Sequence, residues 1–183
     1  MRTFEFNREK FDRLVHYIIW KCPDKAKLGS VKLHKILWKS DTSFFLRHGH
    51  PITGTRYVKG PNGPMTPALN VARDDLAKAG AIRFWRDRQF AGKYAKDVYE
   101  VLRPASESFL STDEKQTVDF WINEICLKHT AESISDETHG VAWEIARMGE
   151  EMPVQVALVE RGREPNKDEM EWARKKAKER GLI

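Results

Sequence analysis

The chain is poor in cysteine and has neither a long apolar run nor a catalytic signature. Each absence narrows what it can do. Only Cys22 and Cys126 occur among 183 residues, far apart and in no CxxC pair. With no export signal, they are most simply reduced thiols in a cytosol. No apolar stretch approaches the ~20 residues that a membrane helix needs, and the opening MRTFEFNREK lacks the apolar centre of a signal peptide. The expectation is a cytoplasmic protein with no membrane partner. The glycines of GPNGP lack a GK[ST] ending, and Pro61 and Pro64 remove N–H donors that a phosphate loop would use. No serine or cysteine stands in a nucleophile motif. Internal repeats and low-complexity segments are absent too.

What is present suits one compact domain with a heavily charged surface: 40% apolar and 32% charged residues. The charge is unevenly placed. Residues 1–103 carry 21 Lys/Arg against 10 Asp/Glu, a net +11, and residues 104–183 carry 11 against 17, a net −6. Such a division suits either an acidic or nucleic-acid partner for the basic half, or two halves that attract one another.

Periodicity and caps predict a mainly α-helical protein with one small β-hairpin and a C-terminal helix. Asn7 caps a first helix, with Phe6 and Phe11 as a hydrophobic staple and Leu14, Val15, Ile18 and Ile19 on its apolar stripe. A second helix starts at a Ser30 cap, buries Leu33, Ile36, Leu37 and Phe44, and stops at Gly49 before Pro51. A third has Thr66 as cap and Pro67 at its first position, with Leu69, Ala72, Leu76 and Ala79 as its stripe, and ends at Gly80. Residues 82–84 and 98–101 read as two strands joined by a basic loop. Ser111 and Glu114 form a capping box for a fourth helix, which turns Val118, Trp121, Ile122 and Ile125 inward. Short helices follow over 131–137 and 143–148, and a thinly apolar one over 167–180. The division is a domain at 1–160 and an extension at 161–183.

Chemistry is sparse. His34 and Asp41 are seven residues apart and share a helix face, while His48 and His50 flank Gly49, but no third or fourth ligand is fixed against either pair. No metal, cofactor or catalytic residue is expected. His139 stands three residues after Asp136 and reads as a structural histidine satisfied by a carboxylate or backbone group. The order helix, glycine, strand, basic loop, strand over 66–103 also fits a winged helix. In that reading Arg73 and Lys78 on the helix, with Arg86, Arg88 and Lys93 on the wing, contact phosphates. Asp74 and Asp75 in the middle of that helix oppose it.

Two blocks, KLHKILWKSDTSFFLRHGHPITGTRYVKGPNGPMTP from Lys32 and ISDETHGVAWEIARMGEEMP from Ile134, stand in the order and spacing of the Panacea domain of SocA-like antitoxins, which the chain resembles over about 10–160. The KLQKLLY-like helix is matched by Lys32-Leu33-His34-Lys35-Ile36-Leu37-Trp38, with His34 and Trp38 as departures. Asp41 stands where the family often has an acid. Gly49, Pro51, Ile52, Thr53, Gly54 and Tyr57 match the PITG-like turn, Gly63 and Pro64 the GP element, and Thr138, His139 and Trp143 the second signature. The resemblance implies a helical scaffold and no enzyme. Its partner would be a cognate toxin protein, neutralised by direct binding or delivered to a protease, and the family is often found in phages and mobile elements. Outside it, Met170 and Trp172 on an otherwise charged helix are either candidate partner contacts or the residues that dock this helix on the domain's own surface. The alternative from another class is a DNA-binding regulator that uses 81–103 as its wing.

Overall fold

A computed structural model describes residues 3–87 and 96–159, together with Lys175 and Lys178. Among these residues there are six α-helices and two antiparallel hairpins: α1 (Arg8–Lys21), α2 (Gly29–His48), β1 (Val58–Gly60), β2 (Gly63–Met65), α3 (Ala68–Lys78), β3 (Ile82–Asp87), β4 (Lys96–Val101), α4 (Thr112–Lys128), α5 (Ala131–Glu137) and α6 (Val141–Ile145). Short 3-10 turns span Lys25–Lys27 and Val154–Leu158. The mainly α class expected from periodicity is the class observed. The expected helix over 167–180 lies outside the described residues, and so do Met170, Trp172, Arg88 and Lys93. No helix among the described residues is long and apolar enough to cross a membrane.

α2 is the axis of the domain. It packs against α1, α4, α5, β2, β4 and the second 3-10 turn. Leu33, Ile36, Leu37 and Phe44 on α2 meet Phe11, Leu14 and Ile18 of α1, Leu69 of α3, Val118, Ile122 and Ile125 of α4, and Ile134 of α5 in one buried cluster. Burying each such side chain stabilises the fold by about 1.5–3 kcal/mol before entropy is counted.

Local signals set most helix ends. Asn7 accepts the Lys10 N–H at 2.9 Å, and the Phe6 and Phe11 rings meet edge to face at 5.6 Å. Ser111 and Glu114 close their capping box reciprocally. Gly49 ends α2 in the left-handed conformation, φ 76°. Thr66 Oγ1 accepts the Ala68 N–H at 3.3 Å, while regular helix begins at Ala68, one residue later than expected. Other expectations are corrected. α2 starts at Gly29 without a side-chain cap, because the 3-10 turn capped by Asp24 leads almost directly into it, and Ser30 is already inside the helix. Ala79 is exposed, since α3 turns that side to solvent. The two cysteines, 104 positions apart, meet with their Sγ atoms 2.9 Å apart, both free.

Three strand pairings shape the rest. Pro61-Asn62 turns β1 back onto β2, with Val58 opposite Met65 and Gly60 opposite Gly63. The chain after α6 then returns along β1: Lys59 N donates to Glu150 O at 2.8 Å, Met152 N donates to Tyr57 O at 2.9 Å, and Val58 bridges Glu151. β3 and β4 pair from Ile82–Val101 to Asp87–Lys96, longer than the strands read from sequence. Their base is part of the body of the domain. α3 packs on β3, α2 packs on β4, and Asp97, Val98 and Tyr99 are buried.

Candidate functional site

The best-formed polar centre is Asp41, in the middle of α2 and 1% exposed. Its Oδ1 accepts the backbone N–H groups of Ile52 (2.8 Å) and Thr53 (3.0 Å). Its Oδ2 accepts the hydroxyls of Thr53 (2.7 Å) and Tyr57 (2.8 Å). Burial pushes the Asp41 carboxyl above its ordinary range, and these four donors act in the opposite direction. A buried carboxylate is tolerated when every lone pair is used, and here one side chain anchors the whole turn from Pro51 to Tyr57 to α2. The Tyr57 ring is 1% exposed and meets the edge of Trp38 at 5.0 Å. Trp38 thereby fills the space beside the hub.

Gly54 makes the turn possible. Its φ is +68°, and a Cβ there would lie 2.1 Å from the Glu5 carbonyl oxygen. The strand-like N-terminal segment crosses directly over it, held by the Asn7 N–H donating to Thr53 O at 2.9 Å. Gly54 therefore has two independent reasons to be glycine, backbone conformation and close approach.

The second signature lies beside the β1–β2 turn. Trp143 donates from Nε1 to Gly60 O at 3.1 Å, stacks on His139 with ring centres 3.7 Å apart, and carries the Lys59 ammonium 4.0 Å above its ring. Thr138 Oγ1 donates to Ile134 O and Ser135 O and so closes the end of α5. His139 is placed by stacking and not by the expected side-chain hydrogen bond: its Nε2 is buried with no partner among the described residues. Burial, with the Lys35 charge second, lowers its pKa.

Lys35 was part of the motif but was not singled out from the sequence. It is 1% exposed, and among the described residues its ammonium has no hydrogen-bond partner. The amine lies against Gly63, whose φ is +97°; a Cβ on Gly63 would be 2.0 Å from Nζ and 2.9 Å from Thr138 Oγ1. Burial, with the Lys39 charge second, lowers the Lys35 pKa from 10.5 to about 7. The available hint in the sequence is the stripe Lys32, Lys35, Lys39 on one side of α2, which does not say that Lys32 and Lys35 are buried. Lys39 reaches Glu137 at 3.1 Å. Lys32 lines a separate cleft with Lys27, Lys96 and His129. Leu33 belongs to the core, and Pro64 sits in β2.

His34 does not join Asp41. Burial, reinforced by the charges of Lys35 and Arg73, lowers its pKa to about 3, and its Nδ1 accepts the Thr66 N–H at 3.3 Å as a neutral imidazole should. Among the described residues no group of three or more His, Cys, Asp and Glu is placed to hold a metal.

The winged-helix residues are disposed differently from what that reading needs. Arg73 points inward, 9% exposed, and donates to Asp97 (2.7 Å), Tyr99 (3.2 Å) and Asn70 (2.7 Å). It corrects the expectation of a phosphate contact, because β4 presents a buried acid to the inner face of α3. Arg86 leans on the same Asp97 at 3.4 Å but stays exposed. Lys78 is exposed, 4.0 Å from Asp75, which also pairs with Arg8.

The sequence model of the family described as antitoxin SocA-like, Panacea domain, matches residues 33–144. That span contains the Asp41 hub, both glycine turns, both hairpins and Trp143. No curated protein and no solved structure matches the chain.

Proposed function

The chain belongs to the SocA-like antitoxin family that carries the Panacea domain, and we propose that it neutralises a cognate toxin protein by binding it directly, without catalysis. The observation that supports this most is how the motif residues are used. Asp41, Thr53, Tyr57 and Gly54 are consumed in tying α2 to its turn, Thr138 in closing the end of α5, and Trp143 in tying α6 to the first hairpin. They build a scaffold and leave recognition to the surface. The exposed face of α4 offers apolar material for it: Phe120 and Leu127, two turns apart, are 56% and 66% exposed. In this reading residues 1–160 are the scaffold, and residues 161–183 add partner contacts through Met170 and Trp172. The protein acts in the cytoplasm.

Co-expression tests the proposal. A toxin-like reading frame found beside the gene would be expressed alone and together with this protein. Restored growth and co-elution of the two products support direct neutralisation. Loss of the toxin from the cell in a protease-dependent manner supports delivery to a protease instead. The DNA-binding reading loses Arg73, which is committed internally, and keeps the basic N-terminal half with the exposed Lys78 and Arg86.

A further inference from the structure

Among the described residues Lys35 is a buried ammonium without a counter-ion, and it stands beside buried ions that are partnered. Asp41 has four donors, and Arg73 has Asp97. Lys35 has none, although it lies on the central helix, 1% exposed. Above it is a cavity of about 180 Å³ between α2 and the β1–β2 turn, lined by Ser30, His34 and Lys35 on one side and by Gly60, Asn62 and Gly63 on the other. Gly63 makes room for the amine itself at the edge of this cavity, since a Cβ there would collide with Nζ. The volume is small beside drug-sized sites of roughly 300–1,000 Å³, but it is ample for one carboxylate. His139 Nε2, a second buried nitrogen without a partner, belongs to the same neighbourhood, and its protonation responds to the Lys35 charge. The cations Lys39 on α2 and Lys59 on β1 add to the positive potential; the nearby acids are Glu137, paired with Lys39, and Asp136 and Glu144, whose charges act on His139.

We propose that the cavity over Lys35 is a carboxylate-accepting subsite, in which a carboxylate enters between α2 and the β1–β2 turn and takes the Lys35 ammonium as its counter-ion. A charge that is costly in the empty site becomes the source of affinity once a partner charge arrives, since both ions are then desolvated together. The carboxylate is either a free small acid or an acidic side chain of the toxin. Only the second source rests on the antitoxin reading.

Sodium formate is the probe, titrated against sodium chloride at constant ionic strength with the full chain. The melting temperature of the wild type should rise saturably with formate, and Lys35→Met, similar in length and uncharged, should show no formate dependence. A variant-free measurement runs alongside. In lysine-labelled wild type one Cε resonance should titrate near pH 7, set apart from ordinary lysines, and formate should move that midpoint upward. His34 and Lys39 on α2, Lys59 on β1, and Glu137 and His139 at the end of α5 are the groups whose charges bear on it. No saturable formate effect on either readout, or an equal effect in Lys35→Met, would overturn the proposal and leave a cavity that holds water only. The toxin arm identifies the source. If Lys35→Met loses tenfold or more in toxin affinity and formate competes with toxin, the carboxylate is the partner's. If formate binds but toxin affinity is unchanged, the ligand is a free acid. A wild type that binds formate but rescues no toxin would defeat the antitoxin reading and leave the subsite standing.

Discussion

The hydroxyl of Tyr57 donates to Asp41 Oδ2 at 2.8 Å across 16 positions of the chain. It is the last of four donors on one buried carboxylate, so each partner's removal should have a different cost. Tyr57→Phe removes one hydrogen bond and leaves three; a loss of about 1–2 kcal/mol is expected. Asp41→Asn turns two protons toward donors that need an acceptor, and should cost about 2–4 kcal/mol. Urea unfolding of both variants checks the order. Equal stabilities for the two would contradict the hub.

The two left-handed glycines at either end of the PITG turn separate conformation from contact. Gly49 has φ +76° and nothing within 4 Å of an added Cβ, so Gly49→Ala should cost only the left-handed penalty of about 1–2 kcal/mol. Gly54 has φ +68° and the Glu5 carbonyl 2.1 Å from the same position. Gly54→Ala should therefore be the more damaging, and should also release the N-terminal segment, visible as faster exchange of the Asn7 amide that donates to Thr53 O.

Arg73 should behave as a core residue. Arg73→Ala leaves Asp97 with only the exposed Arg86 and should cost about 3 kcal/mol, in the range seen when a buried ion pair loses one partner. Lys78→Ala should be within about 0.5 kcal/mol of wild type. DNA affinity of the folded chain should be weak and steeply salt-dependent. Tight sequence-specific binding at physiological salt would favour the regulator reading.

Lys35 makes a signed pH prediction. Its folded pKa, about 7, lies below the 10.5 of the unfolded chain. The unfolded state binds more protons between those values, so this group's penalty is fully present below pH 7 and is relieved as pH rises above it. Between pH 7 and 9 the wild type should gain up to about 1.4 kcal/mol per pH unit relative to Lys35→Met. Parallel stability curves for the two proteins would show that Lys35 is not held unpaired.

Deletion of residues 164–183 should leave the domain folded, because the buried cluster runs from Phe11 to Val154. It should also weaken toxin neutralisation. Thermal unfolding and growth rescue on the same truncated protein check both halves of this expectation.

What the sequence made legible was local. Asn7, Gly49 and the Ser111–Glu114 box act through residues three or four positions away, and the apolar stripes of α1, α2 and α4 repeat at helical spacing, so the helices could be read with ends good to one or two residues. The Asp41 hub was legible only as a motif. Its donors come from 11 to 16 positions downstream, and no short-range rule fixes that pairing. Arg73 and Lys78 look alike in the sequence, and only the buried acid on β4 distinguishes them. Lys35 was invisible for a related reason: charged side chains are almost always exposed, so a lysine stripe reads as a solvated face until its neighbours are in place. The return of residues 149–152 along β1 is likewise a long-range pairing with no signal in its own composition.

The central claim, direct neutralisation by binding, is tested most directly by titrating purified wild-type protein into the purified product of the adjacent toxin-like reading frame and measuring heat and toxin activity together. The account predicts saturable binding with toxin activity falling in proportion to the complex formed, with no protease or nucleotide added. Undiminished toxin activity at saturating, folded protein would contradict it.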